Sequence, residues 1–311
     1  MTRLTVAIPS KGRLKEKAEA WLKASGFTLK QVGGGRGYTA VMDGLPEADV
    51  MLLSAREIAE GLISGALHIG VTGEDLLHDL SSDVDRDVHV LRQLGFGGAD
   101  VIVAVPAAWL DVDTMADLEA AGAQFRLRHG RRMRVATKYL RLTRHFFAAK
   151  SVGEYRLVES AGATEAAPAA GSAEVVVDIT STGATLKANG LKILADGVIL
   201  KSQASAVASK QATWSDEALA SLRVLLDGVE ASAAARQLCE VEAENAIPDS
   251  VAKDKNLTLL GSGAALCSVD TASDTARWLT QNGYGGVVIK QLNQVYLPEN
   301  AILAGFLKNL S

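Results

Sequence analysis

The sequence predicts an α/β fold, and three observations carry that prediction. Unbroken apolar runs rich in β-branched residues, such as Val175-Val176-Val177 and VIVAVP (Val101–Pro106), read as strands covered on both faces. Between them lie stretches with helical spacing of apolar residues. Polar turns carrying glycine follow the strands at 9–13, 72–75 and 178–185, the position outside strand carboxyl ends where open α/β sheets collect ligands.

In chain order, Leu4–Ile8 reads as a compact strand and Leu14–Gly26 as a helix, joined by Pro9-Ser10-Lys11-Gly12-Arg13. The theme repeats with a strand to Ser54, a helix over Arg56–Ser64, a strand over His68–Val71 and the turn Thr72-Gly73-Glu74-Asp75. Val101–Pro106 leads out of a first lobe. RMRVATKYLRLTRHFF then supplies a strand and a helix, LVESAGATEAAPAAG a strand and a turn, and EVVVDITSTGATL a strand and a loop. Mostly parallel sheets are expected, with the chain crossing near Pro106 and returning after Asn189. Residues 1–105 plus 190–228 then form lobe I and 106–189 form lobe II, with a site in the cleft between them. Beyond about residue 230, ASAAARQLCEVEAENAI reads as a helix-like alanine-rich segment broken by Pro248, followed by strand, helix, strand and a helix-like tail. Residues 229–311 are therefore expected to form a small C-terminal α+β domain.

Composition excludes several function classes. Of 311 residues, 48% are hydrophobic and 22% charged, an ordinary globular balance. The formal net charge of −4 gives no global field to recruit nucleic acid, so no nucleic-acid partner is expected and any anion must be held locally. Two cysteines, Cys239 and Cys267, argue against a disulfide framework and a thiolate metal site. The apolar run near the N-terminus ends at Pro9 and Lys11, too short for a membrane span, and a soluble cytoplasmic protein without a membrane partner is expected.

The densest chemical signal is AEVVVDITSTGATLKANG, in which a buried strand runs into an acid and a loop of hydroxyls. Asp178 can accept from sugar hydroxyls, while Thr180, Ser181, Thr182, Gly183, Ala184 and Thr185 offer backbone N–H groups and hydroxyls to a phosphate. The helix expected from Leu186 places the loop at an N-terminus that favours an anion. Ribose 5-phosphate has the matching shape. Lys11-Gly12-Arg13 puts two cations at a tight turn that could steady polyphosphate, and Arg36 sits on the glycine-rich loop VGGGRGYT. The arginines of FRLRHGRRMRV read better as a solvated face than as a polyphosphate or intersubunit site. The five histidines lack metal-ligand spacing and receive no catalytic role; Ser181 lacks a nucleophile-elbow context.

IPSKGRL, HIGVTGEDLL, RVATKYLRLTRHFF, ESAGATEAAPAAG and DITSTGATLKANGLK, in that order, resemble the ATP phosphoribosyltransferase family, over roughly residues 1–228. The resemblance implies a two-lobed core of the type II periplasmic-binding-protein kind. It also implies Mg²⁺ as cofactor, and attack by N1 of ATP on C1 of 5-phosphoribosyl 1-pyrophosphate with loss of pyrophosphate, the first step of histidine biosynthesis. Carried over, Asp178 binds the ribose hydroxyls and the 181–185 loop the 5-phosphate. Lys11, Gly12, Arg13, Arg36 and Arg56 contact ATP or pyrophosphate, and Gly73, Asp75, Tyr139 and Glu165 line the cleft. Asp178, Arg13 and Lys11 are the expected catalytic set. For residues 229–311 a regulatory or oligomerisation role is expected, histidine sensing included. The expected partners are further copies of the chain, as a dimer or higher oligomer, and a synthetase-like regulatory subunit. Two rival readings stand beside this one: a noncatalytic two-lobed module for a nucleotide or sugar phosphate, and a phosphoribosyltransferase acting on another base.

Overall fold

The computed structural model describes residues 3–32, 37–160 and 162–310. The strands are β1 (Thr5–Pro9), β2 (Thr28–Val32), β3 (Thr39–Asp43), β4 (Asp49–Leu53), β5 (Ile69–Gly73), β6 (Val88–Gln93), β7 (Ala99–Pro106) and β8 (Met133–Thr137). They continue as β9 (Tyr155–Glu159), β10 (Val175–Thr180), β11 (Leu191–Ser202), β12 (Ala204–Ser209), β13 (Leu238–Ala243), β14 (Thr258–Leu259), β15 (Ala264–Ser268) and β16 (Val287–Gln291). The chain divides into two compact units.

One unit, Val6–Leu14 with Leu52–Thr213, holds two sheets. In the first, β1 pairs in parallel with β5, and β12 runs antiparallel to both β5 and β6. The second has the order β11-β7-β10-β8-β9. Its centre is β10, parallel to β8 and antiparallel to β7. Val175, Val176 and Val177 are fully buried there, as their unbroken β-branched run requires of a strand covered on both faces. These two sheets are the two lobes of an α/β core. Strand β11 belongs to the second sheet and β12 to the first, so the stretch VILKSQASAVAS is shared between them.

Helix limits follow local chemistry. The helix Ala55–Ser64 begins at Ser54, whose hydroxyl accepts from Glu57 N while Glu57 caps Ser54 N in return, and it ends at Gly65 with φ 79°. Thr114 and Asp117 make the same reciprocal cap for the helix Met115–His129, which Gly130 closes at φ 65°.

The other unit, Met1–Thr5, Lys15–Met51 and Trp214–Ser311, contains the antiparallel strands β2, β3 and β4 and a four-stranded sheet of order β14-β15-β13-β16. The helix Asp216–Gln237 packs so closely on the 25–27 turn that a Cβ at Gly228 would stand 2.6 Å from Ser25 O. The final helix, Ala301–Lys308, sets Phe306 edge-on to Trp214 at 5.0 Å, and Asn300 donates to Asp227 at 2.9 Å.

Three expectations change. The sheets are mixed rather than mostly parallel, because β7, β11 and β12 return against their neighbours. The alanine-rich segment is helical only to Gln237; LCEVEA is β13, with Cys239, Val241 and Ala243 inward and Glu240 and Glu242 outward, a period of two inside what reads as a helical run. The hairpin β2–β3 is not among the expected elements: β2 faces solvent almost throughout, and β3 is marked only by the alternate burial of Ala40 and Met42. No helix among the described residues is long and apolar enough to cross a membrane.

Candidate active site

At the carboxyl end of β10 the apolar strand gives way to Asp178, and the chain turns through Thr180–Gly183 into the short helix Ala184–Ala188. Gly183 takes φ 72°, a left-handed value that glycine adopts without a Cβ penalty. Thr180 Oγ1 accepts from Gly183 N at 2.9 Å and thereby fixes the bend, while Ser181, Thr182 and Thr185 remain exposed. The turn lines a cavity of about 350 Å³. Across it lie Lys138, just beyond β8, and the stretch Gly162–Glu165, where Ala163 has φ 48° before the single 3-10 turn Thr164–Ala166.

Two carboxylates and one ammonium therefore share one small cavity, and they act on one another. Burial raises the Asp178 carboxyl above its ordinary range; the Ile179 N–H, donating at 2.8 Å, and Lys138 pull it down, and Glu165 adds to the rise. A carboxylate held partly out of water, with no donor on its other oxygen among the described residues, is suited to accept from sugar hydroxyls.

Asp75 and Tyr139 join the two sheets of this unit. Tyr139 is buried and donates to Asp75 Oδ2 at 2.7 Å, and Ser202 Oγ donates to Asp75 Oδ1 at 2.9 Å. Burial first, and Asp75 second, push the Tyr139 phenol far up, so it stays a donor. Four residues on, Asp79 accepts from the N–H groups of Arg141 and Leu142 at 3.0 and 3.1 Å, at the start of the helix Leu140–Ala149. Gly73 is needed beside this network because a Cβ there would collide with Asp75 Oδ1.

The structure thus brings Asp178, Thr180, Ser181, Thr182, Thr185 and Glu165 to one cavity, with Gly183 and Ala184 completing the turn. Asp75 and Tyr139 are spent on each other rather than open to solvent. Lys11 follows β1, and Gly12, at φ 73°, and Arg13 already open the helix Gly12–Ala24 where a turn was expected; all three are exposed and are not among the residues lining that cavity. Arg56 is exposed and pairs with Glu60 at 3.0 Å. Arg36 lies outside the described residues. Four arginines of the run share two carboxylates, Arg126 and Arg132 pairing with Glu154 and Arg131 and Arg134 with Glu174, while the exposed Arg128 makes no ion pair among the described residues. Among the described residues no cluster of three or more His, Cys, Asp or Glu is arranged to hold a metal by itself. Sequence reasoning missed Lys138, whose signal is a lone cation just past the end of the strand that pairs with β10.

Comparison with known proteins bears on the family of the whole chain. Residues 54–228 match the family model described as HisG: ATP phosphoribosyltransferase. An ATP phosphoribosyltransferase of Caulobacter vibrioides (strain NA1000 / CB15N) is 51% identical over 315 residues, covering 99% of this chain and 98% of that protein. One from Rhodopseudomonas palustris (strain BisB18) is 56% identical over 240 residues, 77% of this chain and 74% of its own. The Thermotoga maritima structure titled ATP phosphoribosyl transferase (HisG:HisZ) complex shares the fold, with a TM-score of 0.55 and 24% identity over 73% of this chain and 98% of that one. The chain belongs to the ATP phosphoribosyltransferase family.

Proposed function

We propose that this chain transfers the 5-phosphoribosyl group from phosphoribosyl pyrophosphate to N1 of ATP, releasing pyrophosphate, as the first step of histidine biosynthesis. The observation that carries the reading is the cavity at the end of β10, where Asp178 shares the lining with a turn of hydroxyls and N–H groups, the donors and acceptor a sugar phosphate needs. The family membership names the reaction, and the noncatalytic rival is not favoured.

In this reading Asp178 accepts from the ribose hydroxyls, and Thr180–Thr185 hold the 5-phosphate. As the bond from C1 to the leaving oxygen lengthens, positive charge grows on the ribose ring, where Asp178 and Glu165 supply negative charge in a partly desolvated cavity. Adenine N1 attacks with its own lone pair, so positioning replaces a general base. Lys11, Gly12, Arg13 and Arg56 serve the polyphosphate of ATP or the leaving pyrophosphate. The Asp75–Tyr139 bond fixes the residue next to Lys138, which lines the cavity. Mg²⁺ would be held by substrate phosphates with Asp178 and Glu165 as carboxylate donors, and would supply positive charge to the leaving pyrophosphate.

We also expect residues 1–105 with 190–228, and 106–189, to act as two catalytic lobes. Residues 229–311 would serve regulation or assembly, the chain acting as a homo-oligomer or with a synthetase-like subunit. Purified protein mixed with ATP, phosphoribosyl pyrophosphate, Mg²⁺ and pyrophosphatase should yield phosphoribosyl-ATP by absorbance and mass. Substitution Asp178→Ala should abolish turnover in a folded protein; undiminished activity would remove Asp178 from the mechanism.

A further inference from the structure

The cavity at the end of β10 has a charge imbalance that the phosphate turn alone does not resolve. Its described lining contains two carboxylates, Asp178 and Glu165, and one cation, Lys138. A phosphorylated sugar adds further negative charge. Hydroxyls and N–H groups of the turn supply dipoles but no full positive charge.

Lys138 is placed to supply it. The residue follows β8 directly, and β8 runs parallel to β10 with Val135, Ala136 and Thr137 opposite Val175, Val176 and Val177, so Lys138 and Asp178 emerge side by side at the same sheet edge. The Lys138 side chain makes no ion pair among the described residues, although Asp178 and Glu165 line the same cavity. Its ammonium lies 4.9 Å from the centroid of the Tyr139 ring. That ring is held in turn: Tyr139 is 1% exposed and its hydroxyl donates to Asp75. An otherwise flexible lysine thus rests on a fixed aromatic shelf whose position depends on Asp75.

We propose that Lys138 contacts a phosphoryl group of the phosphoribosyl donor, and that Tyr139 and Asp75 are positioning residues that aim it. The proposal rests on the reading of this cavity as the phosphoribosyl pyrophosphate site. The shared chemistry is an ammonium on a phosphoryl oxygen, with the 5-phosphate and the pyrophosphate as its two sources. Through either, Lys138 supplies the positive charge that the described lining of the cavity itself offers the donor, beside any held by Mg²⁺, while leaving the ATP side untouched.

The test uses the full-length protein and the variants Lys138→Met and Lys138→Arg, with steady-state kinetics in both substrates. Calorimetric titrations with ribose 5-phosphate and with pyrophosphate are run separately. Because Lys138 is exposed, both variants should melt within about 2 °C of the parent. Lys138→Met should raise KM for phosphoribosyl pyrophosphate about 10- to 100-fold and change KM for ATP less than about twofold. Lys138→Arg should recover most of the loss by keeping the charge. Weakened binding of ribose 5-phosphate would assign the 5-phosphate, and weakened binding of pyrophosphate the leaving group. Unchanged KM for the donor together with unchanged binding of both probes overturns the proposal, as does an equal rise in both KM values. If the parent protein makes no phosphoribosyl-ATP but binds ribose 5-phosphate in a Lys138-dependent way, the assigned reaction fails and the role of Lys138 stands. To test the shelf, Tyr139→Phe, which keeps the ring and removes the bond to Asp75, should raise KM for the donor and leave KM for ATP in place; a fall in kcat alone would refute positioning.

Discussion

At the scale of the residue, Asp178 and Glu174 sit four positions apart in sequence and have opposite electrostatic fates. Burial raises Asp178 in the fold, so its ionised form opposes folding: that penalty is absent below the unfolded carboxylate range and grows as pH rises through the folded value. Asp178→Asn should therefore melt at or above the parent temperature at pH 7, the gap closing as the pH is lowered, while activity is lost. A melt well below the parent at pH 7 would mean that Asp178 serves the fold instead of the ligand. Burial would raise Glu174 too, but hydrogen bonds from Arg131 and Arg134 outweigh it and hold the carboxyl at about 2. Its stabilisation is present above the unfolded value and disappears as pH falls through about 2. With Arg131 half exposed, solvent screening leaves on the order of 2 kcal/mol. Denaturant unfolding of Glu174→Gln beside the parent should show that difference at pH 6 and a smaller one at pH 3. Asp178 was legible from sequence because acid, hydroxyls and glycine are contiguous. Lys138 was not, because only the pairing of β8 with β10 brings it to Asp178, and periodicity says nothing of which strands pair.

At the scale of the element, caps and close approaches set the limits that the site depends on. Asp79 holds the first turn of the helix Leu140–Ala149, directly after Tyr139, by accepting from two of its orphan N–H groups. Asp79→Ala should cost about 1–3 kcal/mol and also disturb the Tyr139 shelf, measured as lower denaturant stability together with a raised KM for the donor. Asp79→Asn, which keeps an acceptor oxygen, should lose less. Gly228 gives a second check. In an exposed helix Gly→Ala is favourable by up to about 1 kcal/mol, but here the added Cβ would meet Ser25 O, so Gly228→Ala should destabilise by about 1–3 kcal/mol in thermal melts. The helix Ala55–Ser64 was legible to within a residue because its cap, apolar face and terminal glycine agree. Strand β13 was hidden because alanine and glutamate suit helices, and only its period of two, decided by burial in the four-stranded sheet, marks it as a strand.

At the scale of the whole molecule, the α/β class and the two-sheet core follow from strand and helix alternation, whereas the compact units do not follow chain order. Residues 15–51 cluster with 214–311 because the helix Asp216–Gln237 packs on the 25–27 turn and the C-terminal segment returns to that helix through Val295 N–Ala231 O and Asn300–Asp227, and to the residue before its cap through Phe306–Trp214. No local pattern announces such a return. A chain ending at residue 230 loses all three contacts, and it should unfold at a lower temperature and less cooperatively in calorimetry. The near full-length match to the Caulobacter vibrioides protein shows that residues 229–311 are shared with a relative rather than peculiar to this chain. The most direct test of the central claim, that the cavity at the end of β10 is the phosphoribosyl site of an ATP phosphoribosyltransferase, is one assay on parent and Asp178→Asn. ATP, phosphoribosyl pyrophosphate and Mg²⁺ are supplied with pyrophosphatase, and the product is identified by mass. Phosphoribosyl-ATP from the parent and none from a folded Asp178→Asn is the predicted result; equal product from both would contradict it.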